Sequence, residues 1–185
     1  MKSNKKRIFF IWIVFLIVCG AFFFFNRDSV GAIFAFASSQ IWLLYILIFV
    51  AGSLRGFTLI PATYLIVLAL PFIPAVPLYF LIMAGVMVSS LSVYYFFDYL
   101  KIDELFGNKH KALVQKARNL LSTYELPVII FWSMAPFLPS DIICYISGTL
   151  RVNVYKFMLG MFIGEGVLCA VYIFGGKAVL GAFGV

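Results

Sequence analysis

The sequence predicts an all-α integral membrane protein with about three to four transmembrane helices, two opposed re-entrant helical hairpins in an inverted repeat, and a cytoplasmic amphipathic helix. Three observations predict this fold class. Hydrophobic residues make up 64% of the 185 positions and charged residues only 11%, which is more apolar surface than a water-soluble fold can bury. Glycine and proline interrupt two of the apolar segments. The basic residues gather in two clusters, so the positive-inside bias orients the chain.

The first element is an apolar run behind a basic tail. The tail contains four basic residues: Lys2, Lys5, Lys6 and Arg7. A cleavable signal peptide is the alternative, because Ala35-Phe36-Ala37 resembles a cleavage sequence. However, the apolar run over 8–25 is longer than the usual apolar region of a signal peptide, and the Ala-x-Ala sequence lies far beyond it. Residues 1–40 are therefore predicted to form an uncleaved transmembrane helix, with a cytoplasmic N-terminus, and an interfacial segment.

The next segment, 41–76, is apolar but interrupted at Gly56 and Pro61. Interruptions at membrane depth free backbone groups that lipid cannot bond, so they are tolerated only inside the protein or beside a water-filled cavity. We therefore predict a re-entrant hairpin over 41–76. The following segment, 77–100, is typical of a transmembrane span, and small residues such as Gly85 would let another helix approach closely.

The loop 101–126 is an extended polar region that carries the second basic cluster. Five basic residues form this cluster: Lys101, Lys109, Lys111, Lys116 and Arg118. Apolar residues recur within the loop at helical spacing: Leu113, Val114, Ala117, Leu120 and Leu121. We predict an amphipathic helix on the cytoplasmic face whose partners are anionic lipid headgroups. Because the cluster lacks interleaved aromatic residues, we do not expect it to bind nucleic acid.

The pattern of the first half returns after this loop. A second hairpin is predicted over 127–151, with interruptions at Pro136, Pro139 and Gly148. It is followed by a predicted span over 152–176 and a C-terminal tail over 177–185.

The two halves align as an internal repeat within one membrane domain over 41–176. Pro61 falls beside Pro139, and Gly85 falls beside Gly164, with nearly constant offset. Because both basic clusters are expected in the cytoplasm, the first hairpin must enter from outside and the second from the cytoplasm. Opposed hairpins whose tips meet near the midplane are a layout of secondary transporters.

Three charged residues are the candidate substrate or proton path. Arg55 is the most informative, since a guanidinium at the centre of a membrane helix costs at least about 2.5–3.5 kcal/mol and must face a partner or water. Its partner is either Asp141 or Glu165. A cation can hold a phosphate headgroup, and a partly buried carboxylate can exchange protons. The competing interpretation is a purely structural ion pair, or an Arg55 side chain that extends to the interface.

Patterns for catalysis and for metal binding are missing from the sequence. The single histidine, His110, lies in the basic loop, and Cys19, Cys144 and Cys169 are widely spaced in apolar runs. None has a second ligand at metal-binding spacing, and no Gly-rich phosphate loop or nucleophile–base set occurs. We therefore expect no metal, no cofactor and no enzymatic activity.

One stretch carries a resemblance to a known family. Residues 133–148 read Ser-Met-Ala-Pro-Phe-Leu-Pro-Ser-Asp-Ile-Ile-Cys-Tyr-Ile-Ser-Gly, with spaced prolines, an apolar stretch and a glycine. This resembles the second-hairpin motif of the DedA or VTT superfamily, the SNARE-associated Golgi protein group, and the similarity covers roughly 41–176. Many members carry arginine at the place of Ser133 and an acidic residue in the first hairpin. Here Arg55 lies in the first hairpin and Asp141 in the second, so the charges are exchanged.

The resemblance implies a membrane lipid transporter or scramblase. The expected substrate is a phospholipid or a carrier lipid phosphate such as undecaprenyl phosphate, with proton coupling in some members, and the expected location is a bacterial cytoplasmic membrane. The alternative is a non-transporting membrane assembly or interaction protein that supports envelope integrity. The number of subunits is left open, and a homo-oligomer is compatible with either function.

Overall fold

The computed structural model describes residues 2–25, 40–58, 60–100 and 124–182. Within these ranges the chain forms helices joined by turns, without strands, as the sequence predicts. The described helices are seven: α1 (Lys2–Phe25), α2 (Ile41–Thr58), α3 (Ala62–Ala69), α4 (Ala75–Leu100), α5 (Tyr124–Met134), α6 (Ser140–Leu150) and α7 (Val154–Ala182). The interfacial segment after residue 25 and the amphipathic helix of the basic loop lie outside the described residues.

Three of these helices are long and apolar enough to cross a membrane, namely α2, α4 and α7 over Val154–Val179. At about 1.5 Å per residue, the 18 residues of α2 span about 27 Å and the 26 of α4 about 39 Å, against a hydrocarbon core of about 30 Å. Helices α4 and α7 correspond to the predicted spans 77–100 and 152–176, whereas α2 belongs to the segment predicted as the first hairpin, and α1 is not among the three. The re-entrant paths of 41–76 and 127–151, and their opposite orientations, stay predictions.

Each predicted hairpin contains a break between two helices, and in both breaks an extended proline stands directly before the second helix. In the first break, Pro61 stands before α3 with φ −63° and ψ 137°. In the second break, Pro139 stands before α6 with φ −62° and ψ 115°. An extended proline at this position begins a new helix without losing a hydrogen bond, because the first N–H groups of a helix have no intrahelical partner. The Trp132 indole N–H donates to the Pro139 carbonyl at 3.3 Å and ties α5 to the second break.

In the first half, α2 and α4 pack closely through paired small residues. A Cβ added to Gly85 would lie 3.2 Å from the Gly52 Cα, and a Cβ on Gly56 would lie 2.7 Å from the Ser89 Oγ. The two small residues are four positions apart on each helix, which is the spacing that lets helix backbones approach in membranes. This contact brings the C-terminal end of α2 against the middle of α4.

In the second half, small residues likewise bring α5 and α7 close together. A Cβ on Gly160 would lie 2.7 Å from the Ile129 Cγ2, and a Cβ on Gly164 would lie 2.7 Å from the Ile130 carbonyl oxygen. Gly164 corresponds to Gly85 in the predicted repeat. In both halves, therefore, the long helix carries small residues where it meets the first helix of the predicted hairpin.

Helix α6, in the segment predicted as the second hairpin, packs against α4. Gly148 lies against the Tyr94 carbonyl oxygen, and the Tyr94 hydroxyl donates to the Val152 carbonyl. The Tyr145 ring stacks on Phe97 with centroids 4.5 Å apart. Gly148 thus lies within α6 and allows a close approach, and Gly56 likewise lies within α2. Of the five predicted interruptions, Pro61, Pro136 and Pro139 are the ones that lie between helices.

Candidate functional site

The structure brings the three predicted charged residues together from three helices. Arg55 lies near the end of α2, Asp141 in the first turn of α6, and Glu165 in the middle of α7. All three are buried, with relative exposures of 2%, 5% and 1%. A buried charge is tolerated only when it is paired or hydrogen-bonded, so the contacts of each side chain decide what the site can do.

Arg55 forms an ion pair with Glu165. Its Nη2 donates to the Glu165 Oε1 at 2.8 Å, and both side chains are almost fully enclosed. The same nitrogen also approaches the Ser140 Oγ at 3.4 Å. Of the two carboxylates that the sequence offers as partners of Arg55, Glu165 is therefore the one that forms the ion pair. The Arg55 Nε has no hydrogen-bond partner within the described residues.

Asp141 lies beside this pair without being bonded to it. Its Oδ1 is 3.3 Å from the place that a Cβ on Gly56 would take, so the carboxylate abuts the end of α2. Arg55 attracts it electrostatically, but the ion pair of Arg55 is with Glu165. Its position in the first turn of α6 is favourable for an anion, because the positive end of the helix dipole is there.

Two further side chains position the end of α2, and the sequence did not indicate either. The Ser89 Oγ accepts from the Gly56 N–H at 2.9 Å, and the Tyr145 hydroxyl donates to the Gly56 carbonyl at 2.7 Å. Both backbone groups next to Arg55 are thus held by side chains from α4 and α6. Ser89 was recognisable only as a small residue and Tyr145 only as part of the second-hairpin motif, because neither role has a local sequence signal.

A cavity of about 310 Å³ opens between the two breaks and reaches all three charges. Its walls come from the first break over 61–63, from the second break over 135–140, and from Leu168 on α7. The volume lies at the lower end of the range for small-ligand sites. Most of the lining is apolar, and its polar side chains are those of the three charged residues, Thr63 and Ser140. The interruptions Pro61, Pro136 and Pro139 therefore line the cavity rather than only bending the chain.

The charges in the cavity do not balance when all are ionised. One guanidinium faces two carboxylates, and Glu165 is already bound to the guanidinium. Asp141 is therefore the group that is free to take a proton or a cation from the cavity. The Glu165 carboxylate, by contrast, is occupied by its ion pair with Arg55.

Other candidate groups do not add chemistry to this site. Cys144 donates to the Ser140 carbonyl at 3.4 Å, and the Cys169 Sγ lies 3.9 Å from the Glu165 Oε2, so both fill space around the charges. Within the described ranges, no three histidine, cysteine or acidic residues cluster as metal ligands would. His110 and the basic cluster lie outside those ranges.

Comparison with known proteins gives one match. Residues 60–178 match the model of a protein family described as the VTT domain. This range includes both breaks, Asp141 and Glu165, and begins five residues after Arg55. No curated protein and no solved structure matches the chain.

Proposed function

Because the chain belongs to the VTT domain family, the DedA or SNARE-associated Golgi protein group of membrane-associated proteins, we propose that it is a lipid transporter or scramblase. It moves a phospholipid, or a carrier lipid phosphate such as undecaprenyl phosphate, across the bilayer. The single observation that carries the proposal is the cavity between the two breaks, with Arg55, Asp141 and Glu165 in its wall.

The difficult step in lipid movement is taking a charged headgroup through the hydrocarbon core. A single charged group at membrane depth costs at least about 2.5–3.5 kcal/mol, so the headgroup needs polar partners on its way. The cavity supplies a cation and a carboxylate as such partners. The helices that line it are interrupted at the prolines of both breaks. In secondary transporters, broken helices that meet near the midplane form the substrate and coupling-ion sites.

The two carboxylates have different roles in this proposal. Glu165 neutralises and orients Arg55, which binds the phosphate of the headgroup. Asp141 lines the cavity and is not part of the Arg55–Glu165 ion pair, so it is the residue that exchanges a proton if transport is proton-coupled. The proposal assigns no catalytic reaction to the chain. It also includes the predicted surroundings, a bacterial cytoplasmic membrane with the N-terminus and the basic loop 101–126 on the cytoplasmic side, next to anionic headgroups.

The test is transbilayer movement of fluorescent phospholipids and of undecaprenyl phosphate in proteoliposomes at two pH values. Wild type should move at least one of these lipids, and Arg55→Gln and Asp141→Asn should lower the rate about tenfold or more. Asp98→Asn is the matched control, because it removes a carboxylate whose ion pair with Arg151 is largely exposed. Each variant is first shown to be monodisperse and helical.

The competing function is the non-transporting assembly protein. If folded wild type moves none of these lipids, the transporter proposal is refuted. The assembly function then predicts that the same substitutions change stability or partner capture.

A further inference from the structure

We propose that Trp12 in α1 is a positioning residue for the charged site, because it fixes the Tyr145 ring whose hydroxyl holds the end of α2 next to Arg55. The N-terminal helix α1 precedes residues 60–178, which match the VTT domain, so the family match assigns it no role. The inference rests on the proposed function for its effect on lipid movement. Its effect on the end of α2 is measured independently of transport.

Helix α1 is held against α4 at two points on one face. At the first point, the Lys5 Nζ donates to the Tyr99 carbonyl at 2.6 Å and lies 4.9 Å from the centre of the Tyr99 ring. Trp12 follows about two helical turns later and therefore lies on the same face. At this second point, the centroid of the Trp12 ring is 5.3 Å from that of Phe97 and 6.2 Å from that of Phe96.

Trp12 and Phe97 together hold the Tyr145 ring. The Trp12 ring meets Tyr145 edge to face at 5.6 Å and 81°, and Phe97 stacks on Tyr145 at 4.5 Å and 20°. Both are geometries that aromatic pairs prefer. The Trp12 Nε1 is buried and has no hydrogen-bond partner among the residues that the structure describes. Because an unsatisfied N–H costs free energy, the ring contacts are what favours an indole at this place.

The Tyr145 hydroxyl links this ring to the charged site. It donates at 2.7 Å to the carbonyl of Gly56, which directly follows Arg55 in the chain. A displacement of Tyr145 by about 0.5 Å would lengthen this bond beyond the range of about 2.5–3.0 Å that is usual for hydroxyl donors. The Arg55 side chain starts from the same turn of α2, so its 2.8 Å contact with Glu165 depends on where that turn lies. Trp12 therefore acts on the ion pair through Tyr145 and Gly56.

The first experiment measures backbone amide hydrogen exchange of the purified full-length protein in peptides that cover 54–58, at the end of α2. Trp12→Leu removes the aromatic contacts, and exchange there should become about two- to tenfold faster, the factor that corresponds to one hydrogen bond. Trp12→Phe keeps a ring and should lie closer to wild type. Phe10→Leu is the matched control, because Phe10 lies on α1 but is 67% exposed, and it should leave exchange unchanged.

Peptides from α3 are the internal reference for this measurement. Unchanged exchange at the end of α2 in Trp12→Leu would overturn the inference. Exchange that becomes equally faster in α3 would show a general loss of stability, and would overturn it as well.

The second experiment compares Trp12→Leu in wild type and in Tyr145→Phe, which keeps the ring but lacks the hydroxyl. Movement of a fluorescent phospholipid in proteoliposomes should slow about two- to tenfold in the first background and hardly at all in the second, because the bond to Gly56 is already gone there. The cost of Trp12→Leu to the free energy of unfolding should be the same in both, since Tyr145→Phe keeps the ring contact. Equal slowing in both backgrounds would assign Trp12 a packing role alone and refute the inference.

The two experiments separate this inference from the proposed function. If wild type moves no lipid, the proposed function fails, and the exchange measurement still decides whether Trp12 positions the end of α2. If lipid moves as fast in Trp12→Leu as in wild type, transport stands and the positioning role is wrong.

Discussion

The buried pair between Arg55 and Glu165 allows a test of how much the site contributes to stability. The two side chains are 3% and 1% exposed, and the contact is 2.8 Å. Removing one partner of such a pair usually costs about 3–5 kcal/mol, because the other charge is left buried without compensation. The perturbation is a double-mutant cycle made of Arg55→Met, Glu165→Gln and the two changes together.

Because Asp141 lies next to the pair, the two single substitutions should differ in their cost to the free energy of unfolding. In Arg55→Met, both carboxylates lose their cation, so we expect the full cost of about 3–5 kcal/mol. In Glu165→Gln, Arg55 still has Asp141 beside it and Ser140 within 3.4 Å, so we expect a smaller cost of about 1.5–3 kcal/mol. The double variant removes both charges of the pair, and its cost should fall below the sum by about 1–3 kcal/mol.

The assay is the free energy of unfolding in mixed detergent micelles, followed by tryptophan fluorescence as the denaturing detergent is increased. The ion pair between Arg151 and Asp98 is the control, since its 2.8 Å distance is the same but its side chains are 55% and 37% exposed. Asp98→Asn should cost less than about 1 kcal/mol. Strictly additive costs in the cycle, or single costs as small as that of the exposed pair, would refute the reasoning.

Two further predictions concern packing and positioning. Gly148→Ala should destabilise the protein by about 1–3 kcal/mol in the same assay, because its methyl group would meet the Tyr94 carbonyl. Gly175→Ala, with nothing within 4 Å of the new methyl, should be neutral or stabilising by up to about 1 kcal/mol, and equal effects at the two sites would contradict the packing. Tyr145→Phe keeps the ring but removes the donor to Gly56, so stability should fall by about 0.5–1.5 kcal/mol. The rate of lipid movement should fall further in Tyr145→Phe than in Gly148→Ala when the two variants are compared at the same loss of stability. Equal rates would mean that Tyr145 has a structural role alone.

The helices and their breaks could be predicted because they depend on neighbouring residues. An apolar run long enough to span lipid must close its backbone hydrogen bonds internally, so it forms a helix. Pro61 and Pro139 cannot donate a backbone hydrogen bond, and the chain begins a new helix after each of them. The effect of glycine was less predictable, since Gly56 and Gly148 lie inside helices and serve close packing instead.

What the sequence by itself determined is the all-helical fold, its membrane setting, its family resemblance, and the three charged residues that lipid would not tolerate unpaired. Only the tertiary structure decided that Glu165 holds Arg55, that Asp141 is left facing the cavity, and that Ser89 and Tyr145 bind the backbone of Gly56. The physical reason is one of distance. Local structure follows from adjacent residues, whereas the choice between two carboxylates depends on ångström differences between α2, α6 and α7, whose charged residues are up to 110 positions apart.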